Sequence, residues 1–325
     1  MSSCKSIIFL ILLLVCAPLS AAQLAIQADY PNNPVRVVVP YVAGGPMDYL
    51  ARTIGRKIQN IITLLIDNKP GAGGALGADF VAKSAPDGYT MLHTSSSHAS
   101  LPIITKNLPY DSVKDFAPVT LLVNSVGLLM VTHPGVSART VREFVANAKA
   151  QPGKFTYGSA GVGNLMQFAA ETFNLMANTH LMHVPYKGVA QALTDLMGGR
   201  IDVAFGPATA MQAQIKSGKL RALGITAGNR WSRLPEVPTI EESGVKGYLF
   251  VPWYGFWFPA NTPEAYVNRM RNEMVKAMED EEIRRNFSEQ GFVVSGSTSE
   301  EFSKIIIDEI ETNKRLASRI GLIPE

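Results

Sequence analysis

Two glycine-rich segments are the parts of this sequence whose residue types and spacing best suit chemistry. They run from Pro40 to Asp48 and from Tyr157 to Asn164, and each lies between a short strand-like run and a helical pattern. Glycine lets the backbone approach a ligand closely, and the free amides at the start of a helix form a site for anions. A carboxylate suits such a site, because each of its oxygens accepts several N–H bonds.

The first segment is also compatible with a simple strand-to-helix turn, in which Asp48 only complements the dipole of the helix that follows. The presence of one segment in each half of the chain favours binding, because two sets of amides could then meet across a cleft. The residues predicted to bind a ligand are Tyr41, Ala43, Gly44, Gly45, Met47 and Asp48 in the first segment, here the first loop, and Ser159, Ala160, Gly161, Gly163, Asn164 and Gln167 in or just after the second, here the second loop.

Three polar residues, Ser95, Ser97 and His98, follow a predicted strand at the end where α/β sheets place their ligands. A hydroxyl-rich stretch of this kind is also typical of a solvated turn. Asp202 lies near the start of another strand, where capping, ligand binding and pairing with a basic neighbour all stay open. Tyr186 completes the predicted set of ligand-binding residues.

Catalytic motifs are not supported by the spacing of the candidate residues. Ser159 is not in a nucleophile elbow, because Tyr157 stands where that motif needs glycine. Leu76 occupies the position of the third glycine of a dinucleotide fingerprint, and the sequence contains no Walker motif. The five histidines do not have zinc-site spacing. The sequence therefore predicts a protein that is not an enzyme and uses no cofactor or metal.

The N-terminus has the three-part layout of a signal peptide. Lys5 precedes an apolar run from Ile7 to Ala17, and Pro18 and the small residues Ser20 to Ala22 follow. A membrane-spanning helix needs roughly 20 apolar residues, and this run is interrupted before that length. We expect cleavage after Ala22, which predicts a periplasmic protein.

Composition narrows the class of partner. Both cysteines, Cys4 and Cys16, fall in the predicted signal peptide, so the mature chain would contain no disulfide. The branched Val15 before Cys16 argues against a lipid anchor. The formal charge of +3 is spread along the chain rather than grouped in blocks, which gives no electrostatic footprint for nucleic acid.

Alternating strand and helix patterns predict an α/β fold with parallel sheets and crossover helices. Helices are predicted from about Met47 to Ile58 and from Val141 to Lys149, and the chain after Tyr254 to Pro259 reads as nearly all helix. The predicted buried strands are Val35 to Val39, Thr63 to Ile66, Tyr89 to Thr94, Val126 to Thr132, Ile201 to Phe205 and Leu220 to Thr226.

The chain after the predicted signal peptide is longer than one ordinary domain, so two lobes or one large α/β unit are the expectations from its length. No flexible linker separates them, so we expect crossing strands near Thr120 to Ser125 and Lys246 to Trp253. The predicted division is residues 1–22 as signal peptide, 23–123 plus 248–325 as the first lobe, and 124–247 as the second.

Eight ordered segments carry a resemblance to a known family across nearly the whole chain. They are Pro40 to Arg52, Asn68 to Gly74, Leu108 to Asp111, Phe116 to Val119, Lys154 to Gly163, His183 to Gly188, Gly218 to Leu223 and Leu234 to Thr239. In these segments the sequence resembles the Bug-type solute-receptor family, the extracytoplasmic binding proteins of tripartite tricarboxylate transporters.

The resemblance implies a type II periplasmic-binding-protein fold, in which two α/β lobes close over a carboxylate held by the two loops. It implies as ligand a dicarboxylate, a tricarboxylate, an acidic amino acid or an aromatic acid. The implied partners are the membrane subunits of the transporter, with the receptor a monomer. A sensory pathway, or a hydrolase or isomerase on the same scaffold, are the alternatives.

Departures from the family pattern fall at the expected cleft. Family members often have a small or hydroxyl residue where Met47 stands, and Ser or Thr and then His near the positions of Leu165 and Gln167. Met47, Leu165 and Met166 would make the cleft more apolar, which favours a bulkier hydrophobic acid such as an aromatic carboxylate.

Overall fold

The computed structural model describes residues 30–320 of the chain. The predicted signal peptide and both cysteines, Cys4 and Cys16, lie outside the described residues, so these expectations stay predictions. Within residues 30–320 the chain forms eleven strands and ten α-helices, arranged as one six-stranded and one five-stranded sheet. None of these helices combines the length and apolar character that crossing a membrane requires.

The strands are β1 (Val35–Val39), β2 (Leu64–Asn68), β3 (Thr90–Ser95), β4 (Phe116–Ser125), β5 (Leu128–Thr132), β6 (Thr156–Ser159), β7 (Met182–Pro185), β8 (Val203–Pro207), β9 (Arg221–Ile225), β10 (Trp253–Pro259) and β11 (Phe292–Val294). The helices are α1 (Pro46–Ile58), α2 (Ala75–Ala82), α3 (Ser97–Ile104), α4 (Val141–Ala150), α5 (Leu165–Ala177), α6 (Val189–Met197), α7 (Ala208–Lys216), α8 (Glu264–Met278), α9 (Glu281–Glu289) and α10 (Ser299–Ile320). A short 3₁₀ turn spans Ala72–Gly74.

Both sheets are mixed, which corrects the expectation of parallel sheets. The six-stranded sheet has the order β11-β4-β10-β3-β1-β2, and the five-stranded sheet has the order β7-β6-β8-β5-β9. β1 to β3 are parallel, but β10 runs antiparallel to both β3 and β4. In the second sheet β6 to β8 are parallel and β5 runs antiparallel to its neighbours. Two of the reversed strands, β5 and β10, are next to the points where the chain crosses between the sheets.

The chain crosses between the sheets at two adjacent places. It leaves β4 at Ser125 and enters β5 at Leu128, and it returns between Ile225 and Trp253. The Ser125 amide donates to the Pro252 carbonyl at 2.7 Å, which ties the outgoing segment to the returning one. The crossing positions agree with those expected from the sequence, whereas the exact lobe boundaries stay a prediction.

The two helices with predicted bounds, α1 and α4, begin within one residue of the prediction. Leu50, Ile54 and Ile58 of α1 are buried on one face, as their spacing indicated. The Thr140 hydroxyl accepts a hydrogen bond from the Glu143 amide at 3.1 Å, which confirms the predicted cap of α4. These caps and buried faces fix the helices that start at the edge of each sheet.

Candidate functional site

A cavity of about 210 Å³ lies between the two sheets. Residues from both sheets and from the helices that follow them line it. The lining residues are Tyr41, Val42, Ala43, Gly44, Gly45, Pro46, Met47, Ala160, Asn164, Leu165, Met166, Gly188, Val189, Ala190, Leu193, Pro207, Ala210 and Tyr254.

The structure brings the first and second loops together in this cavity. Seven of the residues predicted as ligand-binding line it, namely Tyr41, Ala43, Gly44, Gly45, Met47, Ala160 and Asn164. Within residues 30–320 the amides of Ala43, Gly45 and Ala160 donate to no protein acceptor. These three amides are therefore available to an anion in the cavity.

Asp48 was predicted to bind ligand, but its carboxylate supports the first loop instead of lining the cavity. It accepts a hydrogen bond from the Gly44 amide at 3.1 Å and from Arg52 Nε at 3.0 Å. Burial alone would raise the pKa of this carboxyl, but hydrogen bonds from Arg52, Gly44 and Asn68 outweigh burial and hold the pKa below its usual range. Asp48 thus stays ionised and fixes the loop at the start of α1.

Ser95, Ser97 and His98 also lie outside the lining. The Ser97 hydroxyl accepts a hydrogen bond from the Leu165 amide at 3.0 Å, which joins the first sheet to the start of α5. Ser95 Oγ donates to Ser97 Oγ at 3.1 Å. His98 is buried among aromatic side chains and its Nε2 lies 2.8 Å from the Ser112 carbonyl. These residues contribute to packing and to the contact between the sheets.

The remaining second-loop residues stabilise that loop. The Gly161 amide donates to Ser159 Oγ at 3.2 Å, and the Gly163 amide donates to Gln167 Oε1 at 2.7 Å. Since these donors are already engaged, the second loop offers fewer free amides to a ligand than its glycine content suggests.

Tyr186 and Asp202 have protein partners of their own. The Tyr186 hydroxyl donates to Asp195 Oδ2 at 2.8 Å, and burial together with that carboxylate raises the pKa of Tyr186 to about 12. Asp202 Oδ2 accepts from the Thr156 amide at 2.8 Å, at the start of β6. Among the roles left open for Asp202, the structure shows capping of a strand, and neither residue lines the cavity.

Four helices start at the cavity, because residues in or next to the first turns of α1, α5, α6 and α7 line it. The N-terminus of a helix carries roughly half of a positive charge. Gly45 and Gly188 precede α1 and α6 without a side-chain cap, so no side chain covers the first amides of these helices. The cavity therefore favours an anion, although none of the described residues that line it is basic.

Comparison with known proteins decides the family. Residues 50–322 match the family model described as tripartite tricarboxylate transporter family receptor. The chain belongs to this receptor family. The resemblance expected from the sequence segments is confirmed.

Solved structures of similar proteins confirm the type II periplasmic-binding-protein fold with its two α/β lobes. The periplasmic binding protein BugD has a TM-score of 0.86 and 28% identity, covering 91% of this chain and all of its own. Rpa4515 of Rhodopseudomonas palustris, solved with adipate, has a TM-score of 0.87 and 28% identity, covering 91% of this chain and 100% of its own. MatC of the same organism, solved with bound malate, has a TM-score of 0.84 and 28% identity, covering 88% and 99%.

Part of the cavity wall was not predicted from the sequence of this receptor. The lining residues outside the predicted set include Gly188, Val189, Ala190 and Leu193 after β7, Pro207 and Ala210 at and after the end of β8, and Tyr254 in β10. A signal for the first two groups was present, because they follow the carboxyl ends of parallel strands, where α/β sheets bind ligands.

One serine–histidine contact in this receptor was not expected from the sequence. Ser159 Oγ lies 2.6 Å from His183 Nε2, and burial lowers the pKa of His183 to about 4. Ser159 is fully buried, does not line the cavity, and also donates to the Gly161 carbonyl at 3.0 Å. The contact therefore holds the second loop against β7. Residues 30–320 also contain no cluster of three or more side chains suited to a metal ion.

Proposed function

We propose that this protein binds a small organic carboxylate in the cavity and delivers it to the membrane subunits of a tripartite transporter. The observation that carries the proposal is an uncharged cavity placed at the N-termini of four helices, with free amides from both loops. Such a site offsets the charge of an anion with dipoles and N–H donors.

Family membership and similar structures support the same ligand class. Rpa4515 was solved with adipate and MatC with malate, and both structures match nearly all of this chain. The predicted signal peptide supports a periplasmic location, where a receptor meets solutes before the membrane subunits do. Capture then proceeds by closure of the two lobes, residues 23–123 plus 248–325 and residues 124–247, at the crossing strands, and the ligand must favour the closed form.

The experiment is a thermal-shift and calorimetry screen of the purified protein with benzoate, hexanoate, adipate and malate. We expect at least one acid to raise the melting temperature and to be recovered unchanged by mass spectrometry. Failure of every carboxylate to bind would contradict the proposal, and recovery of a transformed acid would favour an enzyme instead.

Ala43 offers a matched pair of variants for locating the site. Its side chain is exposed and lines the cavity, so substitution there should leave the fold intact. Ala43→Asp adds a negative charge next to the bound carboxylate and should weaken binding by about 3 kcal/mol at a separation of roughly 5 Å. Ala43→Asn has nearly the same shape without the charge and should keep most of the affinity. Equal affinities of the two variants would place the carboxylate elsewhere.

A further inference from the structure

The walls of the cavity beyond the free amides are apolar. The apolar side chains of the lining are those of Val42, Pro46, Met47, Leu165, Met166, Val189, Leu193 and Pro207, together with the alanines Ala43, Ala160, Ala190 and Ala210. Among the described residues that line the cavity, none is Asp, Glu, Lys, Arg or His. The polar side chains of the lining are those of Tyr41, Asn164 and Tyr254, and all three are uncharged.

The basic side chains nearest in sequence to the lining are engaged or exposed. Arg52 Nε donates to both carboxylate oxygens of Asp48 at 3.0 Å, and its Nη2 lies 3.3 Å from Asn68 Oδ1. Lys187 precedes the lining residue Gly188, but it is exposed and does not line the cavity. Among the described residues, no basic side chain lines the cavity where a second carboxylate would lie.

The cavity volume sets the size of the ligand body. An apolar cavity of about 150 Å³ is large enough to bind benzene. The 210 Å³ present here leaves room for a ring of that size and one carboxylate. A second carboxylate would have to leave water against methionine and leucine side chains without a cation to compensate it, which is unfavourable.

We infer that this receptor selects monocarboxylates with an apolar body, about the size of a benzene ring or a short alkyl chain, over dicarboxylates of equal length. The inference rests on the proposed function, because it takes the cavity as the carboxylate site. It separates this chain from Rpa4515 and MatC, whose structures contain the dicarboxylates adipate and malate.

Leu193 of α6 is the position that we assign to this selectivity. Its side chain lines the cavity and is partly exposed, so a longer polar side chain can be accommodated there without filling the core. Leu193→Lys supplies the missing cation at the apolar wall, and Leu193→Gln is the matched neutral control.

Calorimetry with two matched ligand pairs tests the inference, hexanoate against adipate and benzoate against benzene-1,4-dicarboxylate. For the native protein we expect the monocarboxylate of at least one pair to bind at least about tenfold more tightly than its partner. Leu193→Lys should narrow or reverse this preference, whereas Leu193→Gln should weaken monocarboxylate binding without favouring the dicarboxylate.

The outcomes separate the two proposals. If at least one acid binds but neither monocarboxylate binds the native protein more tightly than its matched dicarboxylate, the selectivity is wrong while the carboxylate site stands. An unchanged preference in Leu193→Lys overturns the role of this position. If no acid of either pair binds and malate also fails, both the selectivity and the proposed function are wrong.

Discussion

At the scale of single residues, Tyr254 adds to the site a hydrogen-bond donor that was not predicted from the sequence. It lies in β10, is almost fully buried and lines the cavity. The neighbouring Tyr41 hydroxyl is already engaged, since it donates to the Gly73 carbonyl at 2.5 Å. The Tyr254 hydroxyl has no protein hydrogen-bond partner within residues 30–320, and burial raises its pKa, so it keeps its proton and can donate. A carboxylate in the cavity is the acceptor that suits it.

Tyr254→Phe should therefore weaken carboxylate binding. A hydrogen bond to a charged group contributes roughly 1.5–3 kcal/mol, which corresponds to a loss of affinity of about 10- to 100-fold in calorimetry. Tyr248→Phe is the control, because the Tyr248 hydroxyl donates to the Ala169 carbonyl at 2.9 Å and lies outside the lining. That control should lower the melting temperature and leave affinity unchanged. Native affinity in Tyr254→Phe would show that its hydroxyl does not contact the ligand.

The residues of the two loops could be predicted from the sequence, but their individual roles could not. Glycines between a strand and a helix have a physical meaning that local sequence carries. Whether Asp48 or Gln167 faces the ligand or supports the loop depends on three-dimensional position, and both side chains accept hydrogen bonds from loop amides. The place of Tyr254 at the cavity was not predicted, because an aromatic strand pattern does not tell which face of the strand borders a cavity.

At the scale of elements, local sequence patterns predicted where the strands lie better than they predicted how the strands pair. The predicted strand Val35 to Val39 has the bounds that the structure gives to β1, and five other predicted strands differ by a few residues. Three-residue β11 was not predicted, since so short a run has no periodicity of its own. The antiparallel course of β10 also escaped prediction, because it depends on a long-range return of the chain rather than on local sequence.

Two of the groups around the first sheet respond to acid in opposite directions, namely the buried His98 and the partly exposed Glu309. Burial lowers the pKa of His98 in α3 to about 4, so its neutral form is favoured in the fold. Burial raises the pKa of Glu309 in α10 to about 7, with a smaller opposing effect from the hydrogen bond of Trp253. Stability therefore falls through His98 and rises through Glu309 as the pH drops from 7 to 5.

Two variants separate these contributions in denaturation at pH 7 and pH 5. With an ordinary pKa of 6.5 in the unfolded chain, His98 lowers the free energy of unfolding by roughly 2 kcal/mol over this range. His98→Phe keeps an aromatic ring but cannot titrate, so its stability at pH 5 relative to pH 7 should improve by that amount over the native protein. Glu309→Gln should change the same difference in the opposite direction. If the free energy of unfolding changed between pH 7 and pH 5 by the same amount in both variants as in the native protein, the assignment of this change to His98 and Glu309 would be wrong.

At the scale of the whole molecule, the two lobes touch at a point that leaves no room for a side chain. The 3₁₀ turn Ala72–Gly74 belongs to the first sheet's lobe and touches the second loop. A Cβ added to Gly73 would lie 1.9 Å from the Val162 carbonyl oxygen. Together with the hydrogen bond from the Leu165 amide to Ser97, this contact joins the two lobes.

Gly73→Ala should therefore hinder closure without unfolding either lobe. The matched control is Gly218→Ala, because Gly73 and Gly218 have similar positive φ angles of 62° and 71°, but nothing lies within 4 Å of a Cβ at Gly218. Both variants should lose about 1 kcal/mol of stability from backbone strain. Only Gly73→Ala should also bind carboxylate at least about tenfold more weakly. Small-angle scattering should show it remaining extended at saturating acid, since the lobes cannot complete the contact that ligand binding stabilises. Compaction and affinity equal to those of Gly218→Ala would mean that closure does not pass through this contact.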